Sequence, residues 1–249
     1  MNKQFLIIKT GGTYPGYAAA NGDFEHWTAQ GMGLAPDQWI CVDVRTGAPL
    51  PDPAGFAGLA ITGSHDMVTD DRPWIAPTLR WVADAVRAGH PTFGICFGHQ
   101  LMAHALGGRA GYHPDGPEIG TVPVALTAEA AADPLFSALP DPFPAHVTHS
   151  QTALELPPDA VLLASSAHEA HQAFRLGDCA WGVQFHPEFD ERITRVYVMD
   201  QVAALAAMGS KAETVAEAVR PTPASTGLLG AFAALCLDRL RLSRRPPRT

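Results

Sequence analysis

The stretch TFGICFGHQLMA, Thr92 to Ala103, sets one cysteine between two glycines where a short apolar run gives way to a helical pattern. Thr92 to Cys96 reads as a strand, and Leu101, Met102, Ala105 and Leu106 recur at helical spacing behind it. A sharp strand-to-helix turn throws the side chain at its apex out over the carboxyl edge of a sheet. Only small neighbours tolerate that crowding, and Gly94 and Gly98 flank Cys96 in the G-x-C-x-G form of a nucleophile elbow. The amide N–H groups that open the helix, beginning with Phe97, can donate to an oxyanion, and the positive helix end favours a thiolate. Taken alone, G-x-C-x-G is equally compatible with a buried cysteine in a glycine-rich turn.

Outward from the elbow, short β-type runs alternate with helical ones, the order expected of a parallel sheet covered on both faces. Residues 5–10, 39–44, 59–62 and 92–96 read as strands. Between the last two, Ile75, Leu79, Val82 and Val86 form the apolar face of a crossover helix over 74–89, ended by Gly89 and Pro91. After residue 108 the pattern turns β-rich, with strands predicted at 121–126, 143–149, 160–167, 171–176 and 180–185. Helices are expected again over 189–208, 211–219 and 226–241, with 219–226 as a linker and 243–249 as a frayed tail.

The 249 residues, 47% apolar and 17% charged, are enough for a sizeable core. A formal charge of -8 disfavours phosphate backbones and anionic lipid as main partners, so neither nucleic acid nor membrane is expected. The opening MNKQFLIIKT has four apolar residues in a row, too few for a signal-peptide core, and a cytoplasmic protein is expected. Cys41, Cys179 and Cys236 lie in apolar runs and read as buried structural thiols. Cys96 is the exception.

A thiol nucleophile needs a base, and the base needs a group to orient it. WGVQFHPEF, residues 181–189, offers both. With 181–185 as a strand, His186 and Glu188 are two residues apart at its end and should point to one face. Glu188 would then hold the imidazole while its other nitrogen reaches Cys96. By itself HPE also suits a surface turn; the elbow cysteine makes the pair specific. His168 and His171, three apart, sit in a turn between strands and are not expected to bind metal. Asp70, Asp71 and Trp74 read as a capping and packing group for the crossover helix.

Together, GICFGHQ (94–100) and GVQFHPE (182–188) resemble the class I, triad-type glutamine amidotransferases, above all the stand-alone relatives of the GMP synthase amidotransferase domain. The resemblance covers roughly residues 55–200. It implies a flavodoxin-like three-layer α/β/α fold with a mostly parallel central sheet and the site at the carboxyl edge of its strands. It implies Cys96 as nucleophile, His186 as base and Glu188 as its partner, acting through a glutamyl thioester that needs no cofactor and no metal. It further implies that Gly63 and Ser64 supply a second oxyanion donor, that Gln100 contacts bound glutamine, and that His149 and Ser150 belong to the segment lining the pocket for the substrate's α-amino and α-carboxyl groups.

The loop ITGSHDMVTDD (61–71) departs from the Gly-Gly-Pro form usual in the amidotransferase domain and is similar to relatives that include the plant γ-glutamyl peptidases. No SGG-type loop of an ATP pyrophosphatase follows residue 200. Three functions therefore stand as expectations: a glutaminase that feeds ammonia to a separate synthetase chain, a γ-glutamyl peptide hydrolase acting alone, and, of another class, a non-catalytic glutamine-binding regulatory subunit. Residues 1–205 are expected to form the catalytic domain and 206–249 a helical extension packed on it.

Overall fold

The computed structural model describes residues 3–243. Eleven strands are present in it: β1 (Phe5–Lys9), β2 (Trp39–Asp43), β3 (Leu59–Ile61), β4 (Thr92–Ile95), β5 (Arg109–Tyr112), β6 (Glu118–Leu126), β7 (Phe143–His149), β8 (Gln151–Glu155), β9 (Ala160–Ser165), β10 (Ala173–Leu176) and β11 (Ala180–Val183). The helices are α1 (Pro15–Asn21), α2 (Phe24–Gly31), α3 (Ile75–Arg87), α4 (Phe97–Ala105), α5 (Glu191–Asp200), α6 (Val202–Ala207), α7 (Ala212–Glu217) and α8 (Pro223–Ser243). The tail expected to fray lies, from residue 244 onward, outside the described residues. Among the described residues no helix is long and apolar enough to cross a membrane.

Nine strands form one sheet in the order β2-β1-β3-β4-β11-β10-β9-β6-β7. The first five run parallel, and the last four continue the sheet antiparallel. β5 and β8 make a separate antiparallel pair. The three-layer architecture follows from β1, whose uninterrupted apolar run is buried on both faces, as parallel strands between helices require. Phe5 and Ile7 face one core with Ala29 of α2, Met32 just after it, and Leu228, Leu229 and Phe232 of α8. Leu6 and Ile8 face the other with Ile75 and Val82 of α3 and Leu101 and Met102 of α4. Residues after 205 thus contribute directly to one core of the sheet.

Several elements differ from the sequence reading. α1 buries none of its residues and β5 is only RAGY, so neither carries a periodic apolar signal. α8 begins at Pro223, inside the expected linker, because proline is tolerated in a helix's first turn. Cys41 is exposed rather than buried, since β2 is an edge strand with one side unpaired and little covering it. Asp70 accepts from the Met67 N–H at 2.9 Å and closes its own turn instead of capping α3.

Candidate active site

The apex of the β4–α4 turn is Cys96, at φ +48° and ψ -98°, the one non-glycine residue with positive φ among the described residues. Such a backbone costs about 1–3 kcal/mol and persists only where its surroundings over-determine it. Here the Cys96 N–H donates to Val183 O at 2.8 Å and the Gln100 N–H to Cys96 O at 3.0 Å. The flanking glycines are sterically required. A Cβ on Gly94 would lie 2.6 Å from Gly98 O, and one on Gly98 would lie 2.7 Å from Ile61 O. Both clashes are with backbone, which cannot step aside. Gly98→Ala is therefore expected to destabilise the fold by about 1–3 kcal/mol, read as a lower Tm in a thermal melt.

Sheet register brings the neighbours of Cys96 into place. Ile61 pairs with Gly94 across β3–β4, so Gly63, two residues on, lies level with Cys96. On the other side Val183 pairs with Ile95, so Gln184 lies beside the cysteine, and its Nε2 is 3.5 Å from the sulfur. Further out, Ile8 pairs with Ile61, which sets Gly11 against Ser64. A Cβ on Gly11 would be 2.4 Å from Ser64 Cα, so this glycine lets the 63–66 loop close over the sheet edge. A Cβ on Gly63 would come within 3.2 Å of His186 Cε1 and 3.9 Å of Cys96 Cβ, which locates the loop's backbone beside both groups.

His186 and Glu188 are brought together, though not by strand alternation. β11 ends at Val183, because its partners Ile95 of β4 and Ala173 of β10 are themselves the last and first residues of their strands. Residues 184–189 are a turn, anchored by the His186 N–H on His146 O at 2.8 Å. Within it His186 Nδ1 and Glu188 Oε1 are 2.8 Å apart, both side chains buried. Phe189 stacks on the imidazole at 4.2 Å between centroids. Burial pulls the His186 pKa down, but the charges of Glu188 and of Cys96 outweigh it and push it up to about 10. The ring's other nitrogen, Nε2, is buried and among the described residues has no partner of hydrogen-bonding geometry.

Cys96, Phe97, Gln100, Ser64, His186 and the 148–151 segment line a single cavity of about 200 Å³. Phe97 opens α4, so its N–H has no intrahelical acceptor. Ser64 contributes backbone only, since its hydroxyl donates to Thr10 O at 2.8 Å and accepts from the Asp66 N–H at 3.0 Å. This cavity can place a carbonyl against a thiol, with amide donors on one side and an imidazole on the other.

The sequence profile of the glutamine amidotransferase class-I family matches residues 55–203, more than half of the chain. The chain belongs to that family. Among curated proteins it is 29% identical to gamma-glutamyl peptidase 4 of Arabidopsis thaliana over 168 residues, covering 65% of this chain and 66% of that one. It is 33% identical to a GMP synthase [glutamine-hydrolyzing] of Aeropyrum pernix over 132 residues, covering 53% of this chain and 24% of the synthase. The match thus spans just under two thirds of the peptidase and about a quarter of the synthase. A solved glutamine amidotransferase from Thermotoga maritima superposes with a TM-score of 0.75 at 19% identity, covering 96% of this chain and 100% of that one, which shows a shared fold.

Within this amidotransferase fold the remaining predicted residues divide. Gln100 Nε2 donates to Gln151 O at 2.6 Å and to Gln184 Oε1 at 3.0 Å, tying the cavity wall to the strand beside Cys96. His149 lies on the wall, but its ring is engaged with Gln151 O at 3.0 Å and with the buried Glu118 carboxylate at 3.1 Å. Ser150 lines the cavity beside it. His99, inside the same motif, is excluded: it is fully buried against Phe174, and burial holds its pKa down at about 3. His168 and His171 bond to Gly116 O and Ala153 O. Among the described residues no cluster of three metal-ligating side chains occurs. The sequence reading assigned no role to Gln184, although GVQFHPE contains it, nor to Tyr14 and Tyr197, which reach the cavity from distant segments.

Proposed function

We propose that this chain hydrolyses the side-chain amide of glutamine through a thioester on Cys96 and releases ammonia for a separate synthetase chain. The observation that carries the reading is Cys96 held at a strained elbow in one cavity with His186, whose imidazole is paired with the buried Glu188. The Cys96 thiolate attacks the amide carbonyl carbon, forming a C–S bond and moving the C=O electron pair onto oxygen. That oxyanion accepts from the Phe97 N–H and from the backbone N–H of the 63–64 loop. When the tetrahedral species collapses the C–N bond breaks, and His186 donates its Nε2 proton to the departing nitrogen. Ammonia leaves. Water then attacks the thioester, His186 Nε2 takes its proton, and glutamate and the thiolate are restored.

Glu188 keeps His186 charged for the proton-donating step, and this has a sign that can be measured. Because the folded imidazole's pKa is raised, the donor form persists as pH rises and is lost only as pH passes through about 10. Glu188→Gln removes the carboxylate's charge while its amide oxygen still accepts from Nδ1, so kcat should fall by roughly 10²-fold or less. The basic limb of kcat/KM should move to lower pH. It belongs to the coupled thiol–imidazole pair rather than to one residue. An unchanged limb would remove Glu188 from this role.

A second reading is favoured by the 63–66 loop, Gly-Ser-His-Asp, whose His65 opens into the cavity. On that reading the chain is a γ-glutamyl hydrolase, and a substituent on the scissile nitrogen adds binding energy remote from the reacting carbon. Steady-state kinetics of the purified chain decide. Slow glutaminase raised by a docked synthetase supports the first reading; partner-independent turnover of a γ-glutamyl amide exceeding glutamine by tenfold supports the second.

A further inference from the structure

We infer that the leaving-group side of the cavity is built for a γ-glutamyl amide whose departing amine carries a second, cationic amine. The inference rests on the thiol mechanism above and specifies its substrate. The leaving nitrogen must depart toward His186, its proton donor, and the cavity on that side is walled by aromatic rings. Behind the lining, Phe189 stacks on His186 and packs against Tyr197 at 4.9 Å between centroids. Tyr197 lies 5.1 Å from Tyr14, and His65 completes the wall at 5.3 Å from Tyr14 and 5.7 Å from Tyr197. Tyr14, His65 and Tyr197 line the cavity, and an aromatic face attracts an ammonium group through its quadrupole.

The charges agree. No lysine or arginine is among the described residues lining the cavity, whereas Asp66 and Asp200 both are. Asp66 is paired with Arg72 at 2.8 Å, outside the lining. Asp200 has no cationic partner among the described residues; its Oδ2 accepts from the Tyr14 hydroxyl at 2.7 Å, which fixes the carboxylate beside the aromatic wall. α4 presents its positive end at Cys96. The cavity therefore carries its positive charge at the reacting centre, on the α4 N-terminus and the Glu188-paired imidazolium of His186, and holds a carboxylate, Asp200, beside the Tyr14 ring of its aromatic wall. His65, pulled toward the neutral form by burial, adds no opposing charge and keeps an acceptor nitrogen. A leaving group bearing a carboxylate, as in an ordinary γ-glutamyl peptide, meets Asp200 instead of a partner.

The test uses the purified full chain and three γ-glutamyl amides of matched length: those of 1,4-diaminobutane (terminal cation), butylamine (neutral) and 4-aminobutyrate (terminal carboxylate), with glutamine alongside. The cationic amide should exceed the anionic one in kcat/KM by about tenfold or more at low salt, with the neutral amide between them and the spread shrinking as salt is added. Asp200→Asn, which retains an oxygen for the Tyr14 hydroxyl, should bring the cationic-to-neutral ratio toward one. A neutral or anionic amide preferred over the cationic one, with Cys96-dependent glutamine turnover intact, overturns this inference and leaves the thiol mechanism standing. An undiminished ratio in Asp200→Asn also overturns it. Failure of all four substrates would bring down the mechanism and the inference together.

Discussion

Cys96→Ala is expected to abolish amide hydrolysis, with no thioester detectable by mass spectrometry after rapid acid quench. The expectation is severe because Cys96 is the one thiol among the described residues lining the cavity, and the hydroxyl of Ser64, on the loop beside it, is held by Thr10 and Asp66. Alanine is smaller than cysteine and accepts the same backbone with similar strain, so the variant should fold, and a thermal melt within a few degrees of the native protein verifies this. Intact turnover in a folded Cys96→Ala protein would refute the mechanism. Serine at this position tests the nucleophile's chemistry separately, since a hydroxyl gains far less from a charged imidazole than a thiol does.

His186→Ala should reduce kcat by a factor on the order of 10³ or more, because the thiolate loses the cation beside it and the leaving nitrogen loses its acid in one step. The same substitution leaves Glu188 buried without its partner. Its Oε2 already has no hydrogen bond among the described residues, so both carboxylate oxygens would then lack one. An uncompensated buried charge costs several kcal/mol, and a lower Tm is expected alongside the kinetic loss. The double variant His186→Ala/Glu188→Gln separates the two effects. It should recover stability without recovering rate, whereas recovery of rate would show that the imidazole acts only by holding the turn together.

The parts of this site that were legible in the sequence are those fixed by local sterics. Gly94 and Gly98 must be glycine because the elbow packs backbone on backbone, and β1, β3 and β4 are continuous apolar runs because both their faces are covered. His186 and Glu188 could be singled out from their chemistry, but the turn that joins them could not, since it arises where the neighbouring strands stop. Cys41 looked as apolar in context as Cys179 and differs only in lying on an edge strand, which depends on sheet order and not on its own segment. The aromatic wall was invisible for the same reason. Tyr14, His65 and Tyr197 come from three separated segments, and periodicity reports which face of an element is buried, not which loops converge.

The four cysteines allow the central assignment to be measured in one experiment. A glutamine analogue carrying an electrophile at the side-chain carbonyl, incubated with the folded protein and followed by peptide mass spectrometry, reports which thiol attacks. Cys179 and Cys236 are buried, and Cys41 is the exposed competitor, but burial of its sulfur and the nearby acids push its pKa up to about 11, which leaves little thiolate at neutral pH. Stoichiometric labelling of Cys96, prevented by excess glutamine and lost in His186→Ala, is the result predicted. Modification of Cys41, Cys179 or Cys236 in place of Cys96 would contradict the account.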